Sequence, residues 1–290
     1  MKNQKTNRTI SEESPMSQNL TNEENSSGSV NPDTNYDLPA GMFRGGGQVA
    51  DTHVQMYREK YGQVVNVPVK FSDIDGIAYF EGDIVLGTTD EVVGVDDPGP
   101  LGIGIIGEQY RWPDGVVPYV TQEIVRPRVE AAIAHWMEKT PFKFIKRTNE
   151  VDYLSFARRN GCWSKVGRRG GEQVVSLGLG CGVGAAIHEI GHALGLWHEQ
   201  SRSDRDQFIE ILWENIADDM EYNFDKHVLD GEDLGEYDFA SIMHYPETAF
   251  SINGKPTIKT VNGQQIGQRN GLSPGDLSAM KTMYPNLNWA

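Results

Sequence analysis

Hydrophobic and polar positions recur with two periods along this chain, and the periods predict its main elements. A helical period follows Pro127, a residue that suits the first turn of a helix. The apolar face of this predicted core helix holds Val129, Ala132, Ile133, Trp136 and Met137. Strand-like alternation marks residues 142–145, 153–156 and 173–177, so we expect a twisted sheet beside the helix. Beyond Gly195 the pattern predicts mostly irregular chain until a last helix at 273–283, capped by Ser273.

One apolar segment also carries most of the candidate chemistry. Residues 183–198 hold three of the seven histidines, and His188 and His192 lie one helical turn apart, so both can reach one ion. A continuing helix would carry His198 too far away, so we expect Gly195 to take a positive φ and turn the chain back. Three imidazoles suit tetrahedral zinc with one position open for water, and Glu189 lies beside them. The alternative is a solvated helix with incidental histidines.

This spacing is the metzincin pattern, which is accompanied by a methionine turn further along the chain. Residues 241–246 fit that turn, with Met243 as an apolar floor under the imidazoles and Tyr245 bringing a phenol near the metal. On its own the hexapeptide could equally be core filler. Together with the histidines it predicts a catalytic zinc centre.

Four segments resemble the astacin family of zinc endopeptidases, and the resemblance spans residues 103–285. These segments are residues 188–206, 241–245, 111–119 and 161–164. The resemblance implies an α/β (α+β) metzincin protease that binds one Zn2+ per chain. Its N-terminal lobe would hold the twisted sheet and two long helices, its C-terminal lobe would be irregular, and the active-site cleft would lie between them.

The same resemblance implies roles for individual side chains. Glu189 would act as general base towards the zinc-activated water, and Tyr245 would stabilise the oxyanion. Protein or peptide substrates would lie antiparallel to an edge strand near Trp163 and Ser164. Arg269 resembles an arginine that lines the S1′ pocket of some members and favours Asp or Glu just after the scissile bond; the alternative is an ordinary surface charge.

The front of the chain resembles the pro-segments of this family. In the stretch 80–84, Phe-Glu-Gly-Asp-Ile, the resemblance makes Asp83 the zinc ligand that replaces the catalytic water and keeps the enzyme latent. A turn with incidental polar residues is the alternative. We expect a disordered leader at 1–35, an inhibitory pro-segment at 36–102 and the catalytic domain at 103–290.

Activation would then require cleavage near residues 96–103. The mature chain would begin near Ile103, and its new amine would pair with Glu199, as in the family. No Lys or Arg lies between Lys70 and Arg111, so we expect self-cleavage or a protease unlike trypsin.

Charge and hydropathy exclude some partners. The net charge is −15, of which −9 falls in residues 1–102, so nucleic acid and anionic membranes are not expected partners. The sequence contains no run of 18 apolar residues, so no membrane span is expected. The N-terminus lacks the apolar core of a secretory signal, so for the secreted protein that the family implies we expect a signal that was removed or is not in this sequence.

The only two cysteines, Cys162 and Cys181, predict one disulfide in a secreted protein, with two free thiols as the alternative. The family has a second bridge to the C-terminus, but Pro141 or Phe142 stands in place of one of its cysteines. This difference puts the docking of the C-terminal tail in doubt.

Two other functions remain open at this point. An inactive zinc scaffold or binding module is disfavoured because Glu189 and Tyr245 are both present. A zinc hydrolase for a non-protein substrate is disfavoured because the segment 161–164 and the pro-segment both suit an extended peptide.

Overall fold

The computed structural model describes residues 45–58, 63–93, 107–226 and 232–289. The expected leader at 1–35 and the expected cleavage region at 96–103 lie outside these residues. Within the described part of the chain, no helix has the length and apolar character that crossing a membrane requires.

The front of the described chain forms a four-stranded antiparallel sheet in the order β1-β2-β3-β4. Its strands are β1 (Gln48–Arg58), β2 (Gln63–Ile74), β3 (Ile77–Phe80) and β4 (Ile84–Thr88), and the short helix α1 (Thr89–Val92) follows them. A small core unites Phe71, Phe80 and Leu86 of this sheet with Val166 from the following part of the chain. The tight turn between β3 and β4 consists of residues 81–83.

A second sheet of five strands has the order β6-β5-β7-β9-β8. Its strands are β5 (Val116–Thr121), β6 (Lys143–Lys146), β7 (Tyr153–Ala157), β8 (Cys162–Trp163) and β9 (Glu172–Leu177). All neighbouring strands are parallel except β8, which pairs antiparallel with β9 at one edge. The three strands predicted from alternation are confirmed within one residue at each end.

Two long helices, α2 (Arg126–Lys139) and α3 (Val183–Leu194), accompany this sheet as predicted. They pack together, and the indole nitrogen of Trp136 donates a hydrogen bond to the carbonyl oxygen of Ile187 at 3.1 Å. The prediction for Met137 was wrong, since 47% of this residue is exposed. Met137 lies at the margin of the apolar face of α2, next to the face that is exposed to solvent.

The chain after α3 is mostly irregular, with the short strands β10 (Ile209–Ile211) and β11 (Ile258–Thr260) and the helix α4 (Pro274–Met283). Ser273 caps α4 as predicted, accepting a hydrogen bond from the Asp276 amide at 2.9 Å. The C-terminal tail docks without a second disulfide. Phe142 makes edge-to-face contacts with the rings of Tyr284 and Trp289, at centroid distances of 4.8 and 6.5 Å. Aromatic packing thus joins the two places where the family's second bridge was expected.

Candidate active site

Helix α3 presents two histidines, and a left-handed residue at its end brings in the third. The helix is apolar and buried from Ala185 to Leu194, so His188 and His192 lie inside the protein. At Gly195 φ is 115°, and its amide donates to the carbonyl oxygen of His192 at 2.8 Å. The predicted turn is therefore present, and it returns the chain so that the His198 ring lies 4.7 Å from the His192 ring.

The outer nitrogen of each ring is held by an acceptor. Nδ1 of His188 is 2.8 Å from the carbonyl oxygen of Ile242, and Nδ1 of His192 is 2.9 Å from that of Leu196. Nδ1 of His198 is 2.8 Å from the carboxylate of Glu81. Where Nδ1 donates, the lone pair of a neutral imidazole is on Nε2, which is the nitrogen that a metal would bind. Three Nε2 atoms thus converge on one point.

Asp83 supplies a fourth ligand atom at that point. Its Oδ2 lies 3.1 Å from Nε2 of His188, and its Oδ1 lies 3.1 Å from Nε2 of His198 and 3.5 Å from that of His192. One ligand atom from each of the four residues falls within 4.8 Å of the others. Burial alone would raise the pKa of Asp83, but the three imidazoles hold it well below its usual range.

These residues fit a zinc ion. Three imidazole nitrogens and one carboxylate oxygen are a tetrahedral donor set that zinc accepts. Oδ1 of Asp83 and Nε2 of His192 are buried and make no hydrogen bond to any described residue. Such orphaned polar atoms are costly, and a bound cation would satisfy both.

Glu189 lies beside the ligands on α3 and is also buried. Its Oε2 makes no hydrogen bond within the described part of the chain. Burial raises the pKa of Glu189 well above its usual value, and the negative charge of Asp83 raises it further. Glu189 therefore favours its protonated form, whereas the neighbouring Asp83 favours its charged form.

The methionine turn at residues 241–246 packs against helix α3 and binds one of the histidines. Met243 is buried, and a Cβ placed on Gly191 would lie only 2.8 Å from its sulfur, so α3 approaches the turn closely. The carboxylate of Asp276 in α4 accepts hydrogen bonds from the Ile242 amide at 3.0 Å and the Ser241 hydroxyl at 2.7 Å. Helix α4 thereby fixes the turn, and Ile242 in turn holds His188.

Tyr245 is buried with its ring 4.7 Å from that of His198. Its hydroxyl donates a hydrogen bond to the carbonyl oxygen of Glu81 at 2.6 Å. Burial raises the pKa of Tyr245 well above its usual value, so the phenol remains a donor. The sequence placed Tyr245 near the metal but did not anticipate this partner.

Glu81 is the functional residue that sequence reasoning missed. Its carboxylate binds Nδ1 of His198 at 2.8 Å and accepts a short hydrogen bond from the Ser201 hydroxyl. It is fully buried and has a φ of 48°, which is uncommon for a residue with a side chain. A charged residue between the apolar strands β3 and β4, two positions before Asp83, was the available signal.

The edge strand beside the site is occupied by the chain's own front segment. The Ser164 amide donates to the carbonyl oxygen of Asp83 at 3.0 Å, and the Val85 amide donates to that of Ser164 at 2.9 Å. The two segments run parallel. The ring of Trp163 meets that of Tyr79 edge to face at 6.2 Å. Segment 83–85 thus lies where a substrate was expected, but in the opposite direction to the antiparallel one.

Arg269 is half-buried next to this centre, with part of its guanidinium fully buried. Its Nη1 donates to the carbonyl oxygens of His244 at 3.0 Å and Gln268 at 2.9 Å. Nε and Nη2 are buried and make no hydrogen bond to a described residue. Burial lowers the pKa of Arg269 to about 10, and the carboxylates of Asp83 and Glu189 oppose that shift.

Glu199 is held by groups of the described chain. It accepts a hydrogen bond from the Asp238 amide at 2.7 Å, and Nη1 of Arg202 lies 3.7 Å from its carboxylate. Burial raises the pKa of Glu199 to about 8. Its expected partner, the amine near Ile103, lies outside the described residues.

Cys162 and Cys181 form the predicted disulfide. The bond links β8 to the loop before α3. It therefore joins the edge strand to the helix that carries the first two histidines. The alternative of two free thiols was wrong.

The fold and the group of three histidines with Asp83 match the metzincin pattern. The model of the peptidase family described as Astacin matches residues 105–285. Zinc metalloproteinase nas-6 of Caenorhabditis elegans is 41% identical over 215 residues, which cover 71% of this chain and 62% of nas-6. Zinc metalloproteinase nas-4 of the same organism is 37% identical over 247 residues, which cover 81% of this chain and 78% of nas-4.

A solved structure is also similar. High choriolytic enzyme 1 of Oryzias latipes, a hatching enzyme zinc-protease, is 39% identical with a TM-score of 0.60, covering 64% of this chain and all of that one. The chain belongs to the astacin family. For five curated relatives, including nas-6, the match spans 30% to 62% of their length.

Proposed function

We propose that this protein is an extracellular zinc-dependent endopeptidase that is held latent by its own front segment. The observation that carries the proposal is the convergence of three imidazole Nε2 atoms and the Asp83 carboxylate, with segment 83–85 lying along the edge strand. A peptide needs such an edge to bind in extended form. The family's known members and the hatching enzyme among the similar structures support the same activity.

The side chains around the ligands supply the chemistry of peptide hydrolysis. When bound, zinc acts as a Lewis acid and lowers the pKa of a water molecule. Glu189 takes the proton of that water and delivers it to the leaving amine, a role that suits a carboxyl group with a raised pKa. Tyr245 donates a hydrogen bond to the oxyanion of the substrate, a contact made mainly in the transition state.

Latency has two structural supports in this proposal. Asp83 occupies the ligand position that water needs, and Glu81 holds the hydroxyl of Tyr245 at 2.6 Å. The pro-segment would comprise residues 36–102 and the catalytic domain residues 103–290. Cleavage by the enzyme itself or by another protease near 96–103 would release the pro-segment, and the new amine would then compete for Glu199.

Arg269 gives the proposed enzyme a preference for an acidic residue just after the scissile bond. Two of its guanidinium nitrogens are buried without a described partner. A substrate carboxylate could pair with both at once, since the guanidinium offers a planar fork. We therefore expect faster cleavage where Asp or Glu follows the scissile bond.

The decisive experiment compares latent and activated protein. Residues 96–102 are replaced by the recognition sequence of a specific protease, and casein digestion is followed before and after cleavage, with and without a chelator. Digestion should require both cleavage and zinc. Asp83→Ala should digest casein before cleavage. Glu189→Ala should bind zinc but should not digest casein, even after cleavage. Zinc binding with no proteolysis after cleavage would instead favour an inactive scaffold or a hydrolase for another substrate.

A further inference from the structure

A lysine directly follows the edge segment to which the pro-segment is hydrogen-bonded. Lys165 directly follows Ser164, whose carbonyl oxygen accepts the hydrogen bond from the Val85 amide. It is half-buried, although a lysine side chain usually keeps its ammonium in water. Burial lowers the pKa of Lys165, and the carboxylate of Glu91 in the pro-segment opposes that shift. Lys165 is therefore a cation at the end of the edge segment, and its charge interacts with a carboxylate of the pro-segment.

The position of Glu91 is fixed by the end of β4. Its Oε2 accepts a hydrogen bond from the Thr88 amide at 2.9 Å as part of a capping box. A Cβ on Gly87 would lie 3.0 Å from the same oxygen, so the carboxylate rests against a position without a side chain. The hydrogen bond to Thr88 and the charge of Lys165 both lower the pKa of Glu91. It is thus an anion held at the strand's end.

A second cation, Arg169, follows Lys165 four positions along the chain. The guanidinium of Arg169 is 5.1 Å from the ring centre of Tyr110, and that ring packs against the small core of the pro-segment. Nη1 of Arg169 is buried and makes no hydrogen bond to a described residue. Its charge acts on Lys165 and lowers the pKa of that ammonium. The chain just after the edge segment thus holds two cations, and one of them has a buried donor without a described partner.

The direction of the edge strand determines which part of a bound substrate would lie near Lys165 and Arg169. The pro-segment leaves the zinc ligands at Asp83 and follows the edge through Val85 towards Lys165, parallel to it. An antiparallel substrate runs the other way, so the residues beside Lys165 precede its scissile bond. Gly87 lies four positions beyond Asp83, which corresponds to the region of P2 to P4 in such a substrate.

We propose that Lys165, together with Arg169, forms a subsite for an acidic residue on the N-terminal side of the scissile bond, and that Glu91 occupies this subsite in the latent chain. The inference rests on the proposed endopeptidase function. It gives the enzyme an acidic preference on both sides of the bond, since Arg269 acts on the other side.

The test uses the zinc-loaded chain, activated at a specific protease site in place of residues 96–102. Peptides with an invariant Asp after the scissile bond carry Glu, Gln or Lys in turn at P2, P3 or P4. At one of these positions the unaltered enzyme should cleave the Glu peptide about fivefold better in kcat/KM than the Lys peptide. Lys165→Glu should reverse that order, and Lys165→Ser should abolish the difference.

Lys143→Glu is the matched control, because Lys143 is exposed on β6 at the opposite edge of the same sheet. It should keep the original order of the Glu, Gln and Lys peptides at that position. Higher salt should reduce the preference of the unaltered enzyme. Equal cleavage of the Glu, Gln and Lys peptides at all of P2, P3 and P4, or an unchanged order in Lys165→Glu, would overturn this inference and leave the endopeptidase intact. If no peptide is cleaved in a zinc-dependent way, the proposed function itself fails.

Discussion

The hydroxyl of Tyr245 donates its hydrogen bond to the backbone carbonyl oxygen of Glu81, 2.6 Å away. The donor belongs to the methionine turn and the acceptor to the segment that also carries Asp83. The side chain of the same Glu81 binds Nδ1 of His198 at 2.8 Å. One residue of the proposed pro-segment thus engages both the proposed oxyanion donor and a metal ligand, so the proposed latency would rest on more than Asp83.

Replacing Tyr245 by Phe removes the hydroxyl and keeps the buried ring. In the activated enzyme we expect kcat to fall by about 10²- to 10³-fold with little change in KM, because the lost hydrogen bond is made in the transition state. Steady-state kinetics on a single peptide check this, with zinc content measured in parallel. An unchanged kcat would remove Tyr245 from the mechanism.

Replacing Glu81 by Ala should give the uncleaved chain measurable peptidase activity. The change leaves Nδ1 of His198 and the Ser201 hydroxyl without their buried acceptor. We expect at least a tenfold rise in the peptidase rate of the uncleaved protein, since losing one buried partner costs about 1–3 kcal/mol. Glu81→Gln, which keeps the shape and one acceptor oxygen, should leak less.

Asp90→Asn is the control for this variant, because Asp90 is an exposed acidic residue of the same segment. It should stay as latent as the unaltered chain. A Glu81→Ala protein that remains fully latent until cleavage would mean that Asp83 alone maintains inhibition.

The C-terminal tail offers a test of stability. Trp289 contacts Phe142 and donates its indole hydrogen to the carbonyl oxygen of Tyr284 at 2.8 Å. Trp289→Ala should lower the free energy of unfolding by about 1–3 kcal/mol, because an aromatic contact and a hydrogen bond are both lost. Denaturant unfolding checks this, with Asn288→Ala as control. Equal stability of the two variants would show that the tail does not contribute.

Much of this site could be predicted because its chemistry is local in sequence. His188, His192 and Gly195 lie within one helix and its cap, so their spacing alone fixes their geometry. The strands at 142–145, 153–156 and 173–177 were predictable for the same reason: alternation records one buried face.

The remainder depended on contacts between distant segments. Glu81 and His198 are 117 positions apart, and no periodicity connects them. Docking of the tail through Phe142 was equally hidden, because an aromatic contact has no spacing signature of the kind that paired cysteines have. Met137 was assigned to the core because a helical period cannot resolve the edge of an apolar face.

Gly191 and Met243 provide the last test. In most helices Gly→Ala stabilises by up to about 1 kcal/mol, because Ala has the higher helix propensity. At Gly191 the new Cβ would lie 2.8 Å from the sulfur of Met243, so we expect a net loss of about 1 kcal/mol from overpacking.

In a Met243→Ala background the obstructing side chain is absent, so Gly191→Ala should become stabilising by up to about 1 kcal/mol. Denaturant unfolding of the four zinc-loaded proteins forms a double-mutant cycle in which the sign of the Gly191→Ala effect changes with residue 243. An effect of equal size and sign in both backgrounds would mean that the methionine does not limit how closely α3 approaches the turn. The sign change would show that the side chain of Met243 is what excludes a larger residue at position 191.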